Sequence, residues 1–216
     1  MKKLAGRSFW ASPKESYSGW NVQQLTFVNK RWVFEGIPKS GYPTKCAKKT
    51  KGCKRYTYNA RKKLLRIGKL RAKVDSEGIR TKGKNKVFYT PLQKPKANLR
   101  SGAKLSYYDY TGCEGSFSCS TWWRHLTLKK DGTFTWTYEA IHSSGMPPNQ
   151  VFVSVSGPDK AGKYQFLSRG RLRINFVDEE TGASKTEVFS VGIDHDALGR
   201  HGVDKGLLIR AMPHTP

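Results

Sequence analysis

Glycine and proline interrupt this chain too often for long helices to fit between them: 21 glycines and 10 prolines are spread along 216 residues. Between the interruptions the dominant pattern is two-fold alternation of apolar and polar residues, the period of a strand with one buried face. The clearest case is Leu126-Thr127-Leu128, then Lys129-Lys130-Asp131-Gly132, then Thr133-Phe134-Thr135-Trp136-Thr137-Tyr138. Asp-Gly supplies the positive φ angles of a tight turn, and Phe134, Trp136 and Tyr138 project to one face. Residues 25–28 and 31–34 read as another hairpin, turning at Asn29-Lys30. Extended structure is also expected at 56–58, 163–167, 172–177, 186–191 and 207–211. Residues 140–162 read as loop around the short apolar run 151–155. The apolar fraction of 37%, with 12% aromatic residues, is enough for a packed core.

One segment is ambiguous. Residues 59–74 place Leu64, Ile67, Leu70 and Val74 at helical spacing behind an N-cap-like Asn59. The same residues also read as two strands turning at Gly68-Lys69. A glycine inside a helix costs about 1 kcal/mol relative to alanine, and the flanking sequence is β-rich, so the hairpin is preferred. The expected fold class is therefore all-β: an antiparallel barrel or two packed antiparallel sheets.

The four cysteines fall in two tight local pairs, Cys46 with Cys53 and Cys113 with Cys119. Two short-loop disulfides are the expectation, with zinc and free thiols as alternatives. Zinc knuckles space their ligands more closely within each pair than these cysteines are spaced. Met1 to Arg7 opens like a signal peptide, but Arg7, Lys14 and Glu15 interrupt the apolar run that should follow. The cysteines nonetheless favour an extracellular or cell-envelope location. No run of about 18 to 20 apolar residues is present to cross a bilayer as a helix.

Charge divides the chain unequally. Residues 1–100 carry 27 Lys and Arg against four acids, a net of +23, whereas residues 101–216 are nearly balanced at +1. The expected organisation follows that division: a strongly basic β-rich segment (1–100) and a near-neutral, aromatic-rich β segment (101–216), together forming one structural domain. Between residues 36 and 74 there are fourteen basic residues and no acid. Such a field draws phosphate- or sulfate-bearing polymers and does not choose among them. The expected polyanion-binding residues are Lys45, Lys48, Lys49, Lys51, Lys54, Arg55, Arg61, Lys62, Lys63, Arg66, Lys69, Arg71 and Lys73. Tyr42, Tyr56, Tyr58, Phe88 and Tyr89 accompany them, and exposed rings beside cations would suit single-stranded nucleic acid. The competing expectation is that these rings alternate into the core.

Other clusters are weaker. Asp194-His195-Asp196 with His201 and Asp204 could serve a small basic nuclease or toxin, His acting as the base. Its glycine-rich setting reads better as a loop, and no cofactor or metal is expected. In His142-Ser143-Ser144, adjacent residues rarely reach nucleophile–base geometry. The rings of the second half, among them Tyr107, Tyr108, Trp122, Trp123 and Trp136, either fill a barrel or line a small-ligand cavity.

Several stretches resemble secreted actinobacterial β-rich domains with a calycin-like or lipocalin-like cast. They are Gly6-Arg7-Ser8-Phe9-Trp10, Leu25-Thr26-Phe27-Val28-Asn29, Gly52-Cys53-Lys54-Arg55-Tyr56-Thr57-Tyr58, His125-Leu126-Thr127-Leu128 and Gly162-Lys163-Tyr164. The resemblance implies an extracellular, disulfide-containing antiparallel barrel and no catalytic residues. The very high lysine content of residues 36–100 departs from it. Together these readings predict non-catalytic association with a nucleic acid or an anionic envelope polymer, with a nuclease and a small-ligand carrier as the alternatives.

Overall fold

The alternation in the sequence becomes an all-strand architecture in the computed structural model. It describes residues 3–11, 15–16, 19–20, 22–39, 41–83, 86–111, 118–145, 151–194, 206–209 and 212–214, and every regular element among them is a β-strand. The first half contains β1 (Ser8–Ala11), β2 (Glu15–Ser16), β3 (Gly19–Trp20), β4 (Gln23–Phe27), β5 (Trp32–Glu35) and β6 (Cys53–Asn59). It continues with β7 (Leu64–Ile67), β8 (Leu70–Val74), β9 (Ile79–Thr81) and β10 (Phe88–Gln93). Apart from the separate β2–β3 ribbon, pairing runs β1-β4-β5-β6-β7-β8-β9-β10. It then closes from β10 back to β1, where Ser8 faces Leu92 and Trp10 faces Thr90. The result is a closed eight-stranded antiparallel barrel. Closure removes the exposed edges that an open sheet would offer for unwanted pairing.

Side chains from all eight strands fill its interior, including Phe9, Leu25, Val33, Tyr56, Leu65, Ala72, Ile79 and Tyr89. Phe27 stands edge-on to Phe9 at 5.8 Å and to Tyr56 at 4.8 Å, the arrangement that ring quadrupoles favour.

The second half contains β11 (Lys104–Thr111), β12 (Ser118–Leu128), β13 (Thr133–Ser144), β14 (Val151–Leu167) and β15 (Arg171–Val177). β16 (Ser184–Asp194), β17 (Gly206–Ile209) and β18 (Met212–His214) complete it. β11 to β16 form an antiparallel meander, extended by β17 on β16 and β18 on β17. β18 returns against β11, and Arg124 Nη1 donates to Met212 Sδ at 2.8 Å. A second core lies within this curl, built around Leu126, Phe134, Phe166, Leu172, Phe189 and Ile209.

The two cores are joined by backbone. β10 pairs with β16 through Leu92↔Asp194 and Gln93↔Ile193, so one sheet passes from the barrel into the meander. A small cluster of Trp10, Leu92 and Leu208 covers the joint. Trp10 Nε1 donates to Asp194 Oδ2 at 2.7 Å, and both residues are buried.

The ambiguous segment is the hairpin, with Leu64–Ile67 and Leu70–Val74 as strands and Gly68 at φ +55° in the turn. The expected loop over 140–162 is corrected at both ends, where β13 continues to Ser144 and β14 is one strand from Val151; residues 146–150 lie outside the described residues. Pairing survives the Gly157-Pro158 dipeptide because the register shifts between Trp136 and Tyr138. Such a bulge accommodates a proline that has no N–H for the ladder. Cys46 and Cys53 form a disulfide with Cα atoms 5.7 Å apart. Cys119 is likewise disulfide-bonded, and Cys113 lies outside the described residues. No helix among the described residues is long and apolar enough to cross a membrane.

Candidate functional site

Strand alternation sorts the basic segment into two faces. Along β6, β7 and β8, Tyr56, Leu65, Ile67, Ala72 and Val74 turn inward, and the residues between them turn outward. The inward row Tyr58, Leu65 and Ala72 is flanked on the outside by two rows running across the strands. One outer row is Thr57 opposite Arg66 opposite Arg71, continued by Lys82, whose N–H donates to the Arg71 carbonyl at 2.8 Å. The other is Asn59, Leu64, Lys73 and Arg80. Between the rows lies an open trough of about 640 Å³, with Arg66, Arg71 and Lys82 on one wall and Asn59 and Leu64 on the other.

Adjacent strands lie about 4.8 Å apart, so Arg66 and Arg71 are like charges in direct cross-strand opposition. That arrangement is destabilising by a few tenths to about 1 kcal/mol. Among the described residues, none of Arg66, Arg71, Lys73 and Lys82 takes part in an ion pair. Lys54 differs, with Nζ 2.6 Å from Glu35 Oε2. Arg80 differs too, lying 2.5 Å from Glu77 and 3.5 Å from Asp75, with its guanidinium 4.0 Å from the Phe88 ring centroid. Burial raises the pKa of Asp75. The N–H groups of Gly78 and Glu77 and the Arg80 charge outweigh it, so the carboxyl titrates below its ordinary range.

All thirteen residues expected to bind a polyanion are exposed, yet they do not form one patch. Arg61, Lys62 and Lys63 occupy the β6–β7 turn, at the same end of the barrel as Asp75 and Glu77 in the β8–β9 turn. Lys48, Lys49 and Lys51 lie inside the loop that the Cys46–Cys53 bond closes within the β5–β6 connection, with Lys45 just before it, at the opposite end together with Lys69. Arg55 stacks on Trp32 at 5.5 Å. The face between the two ends holds Arg66, Arg71 and Lys73, and it adds Lys82, which the sequence reading missed. The continued alternation Ile79-Arg80-Thr81-Lys82 was the signal that could have found it.

The aromatic companions belong mainly to the interior: Tyr42, Tyr56 and Tyr89 are 2%, 8% and 4% exposed. Burial, aided by the Glu35 charge, pushes the Tyr89 hydroxyl up to about 12. Of the acid and imidazole cluster only Asp194 is described, buried and accepting from Trp10; His195, Asp196, His201 and Asp204 lie outside the described residues. No group of three or more potential metal ligands is found among the described residues. His142 Nδ1 pairs across the strands with Ser120 Oγ at 2.7 Å rather than with the serines beside it. Compared with protein-family models, with curated proteins and with solved structures, the chain matches none.

Proposed function

We propose that this protein binds a linear polyanion, without catalysis, across the outer face of its first barrel. The observation that carries this reading is the row Arg66, Arg71 and Lys82: three cations on neighbouring chain segments, lining a trough and facing no carboxylate. Holding them side by side works against folding, and an anionic chain laid along the trough would offset that repulsion. Tyr42, Tyr56 and Tyr89 are buried, and Phe88 lies under the Arg80 guanidinium. That leaves the half-buried Tyr58 in the trough as the one companion ring placed to stack on a base, too few for recognition by stacking to lead. The ligand is therefore a phosphate-rich polymer recognised by its backbone charge, either duplex nucleic acid or a phosphodiester polymer of the cell envelope. The Cys46–Cys53 disulfide and the closed barrel are compatible with the calycin-like, secreted character that the sequence resembles, and on this reading the encounter takes place outside the cytoplasm.

The test is a titration of the oxidised protein against labelled duplex DNA, single-stranded DNA and a glycerol-phosphate polymer at about 50 and 200 mM salt. Backbone recognition predicts affinity that falls steeply at the higher salt and little preference for single strands. Failure to bind any of the three at low salt contradicts the proposal. Cleavage of the nucleic acid would instead favour the nuclease reading.

A further inference from the structure

A cleft of about 360 Å³ lies where the connection between the two halves crosses the meander. Its floor is apolar, formed by the half-buried Leu99 and Ala103 of the connection and Ile193 of β16 above the buried Phe166 and Leu207, and its rim carries Lys94, Lys96 and Arg100. No acid lines it among the described residues. The volume falls at the small end of the range of about 300 to 1,000 Å³ in which proteins hold small molecules. An apolar floor beneath a cationic rim is complementary to one chemical class.

We infer that this cleft binds a small amphipathic anion, an acyl or alkyl chain lying on Leu99, Ala103 and Ile193 with its carboxylate or phosphate head at Lys94. Of the rim cations, Lys94 is the half-buried one, its Nζ 5.0 Å from the Tyr42 ring centroid, and it joins no ion pair among the described residues. Burial holds its pKa below the ordinary lysine range, the sign of an ammonium short of compensating charge. Arg100 is engaged elsewhere, packed against Gly132 and acting on the Asp131 carboxylate. Lys96 is exposed and contributes field rather than a fixed contact. The site lies against the second core, beside the β10–β16 pairing, and shares no lining residue with the polyanion trough.

Calorimetric titration with decanoate, decyl phosphate and decanol, below their aggregation concentrations and at about 300 mM salt, tests the inference. At that salt the Debye length is short enough to suppress diffuse attraction. Saturable one-site binding of decanoate or decyl phosphate, with decanol weaker, is the expected result, and the preferred head identifies the natural class. Lys94→Met should weaken the anions about tenfold or more while leaving decanol unchanged. Leu99→Trp should abolish all binding, and the trough variant Arg66→Ser/Arg71→Ser/Lys82→Ser should bind like the parent. Circular dichroism confirms folding, and if Leu99→Trp does not fold, Lys94→Met decides alone. Absence of saturable binding, equal affinity for decanol, or indifference to Lys94→Met each overturns the inference.

Discussion

The two halves of this molecule are built on the same principle and finished differently. Both are antiparallel meanders wrapped around an aromatic and aliphatic core, one closed by β1–β10 pairing and the other curled so that β18 meets β11. Cations find acids in both halves, as in Lys160–Glu187 at 2.8 Å and Lys185–Asp178 in the second and Lys54–Glu35 at 2.6 Å in the first. What sets the first half apart is the row Arg66, Arg71 and Lys82, whose cations lie side by side with no ion pair among the described residues. One architecture accommodates both surfaces, so the charge of the first half is not a requirement of its fold. It is a surface property, placed on outward positions that the core leaves unconstrained, and the proposed polyanion would account for it.

Core substitutions should break the comparison most severely, and alike in both halves. Phe27→Ala and Phe166→Ala each remove a ring that is 0% or 1% exposed and should cost about 3 to 5 kcal/mol. Denaturant unfolding that registers both losses as shifts of a single transition would mean that the shared sheet couples the cores. Two separate transitions would divide them. Replacing Cys46 and Cys53 together by serine acts on the first half alone. Its short loop predicts a loss of about 2.5 kcal/mol, measurable as a lower denaturation midpoint.

Trp10→Phe addresses the joint. It removes the donor 2.7 Å from the buried Asp194 carboxylate and should cost about 2 kcal/mol. A loss near zero would show that the carboxylate is fully served by its other contacts.

The smallest effect is in pH. Asp75 in the first half titrates below its ordinary range, and Asp178 in the second at about 2, with its Lys185 and Thr181 bonds as the main causes. A carboxyl with a depressed folded pKa stabilises the protein above its unfolded value, near pH 4. That contribution disappears as pH falls through the folded value. Thermal melts of Asp75→Asn and Asp178→Asn should therefore differ from the parent at neutral pH and converge on it towards about pH 2.

Much of this architecture is legible in the sequence because strand alternation with glycine turns has few other solutions. The hairpin at Gly68 and the Asp131-Gly132 turn are cases where the local chemistry dictates the geometry. The long β13–β14 ribbon was hidden because Gly157-Pro158 and Pro147-Pro148 look like loop. Only the register across the ladder shows that a bulge absorbs the first of these. The site was legible as a charge and not as a shape. Residue counts cannot distinguish Lys54, which has Glu35, from Arg71, which has no such partner, because Glu35 comes from a different strand. Lys82 escaped because it lies beyond the densest run and joins the row only through the β8–β9 pairing.

The most direct measurement compares two variants that lose equal charge from the first half: Arg66→Ser/Arg71→Ser/Lys82→Ser in the trough, and Lys48→Ser/Lys49→Ser/Lys51→Ser in the disulfide-closed loop. Binding of duplex DNA and of a glycerol-phosphate polymer is followed across a salt series for each. The account predicts that the trough variant loses most of the affinity and lowers the salt slope by about one unit per contact removed, while its melting temperature stays level or rises. The loop variant should lose much less. Equal losses from both variants would mean that net charge alone attracts the polymer, and would contradict a trough built to hold it.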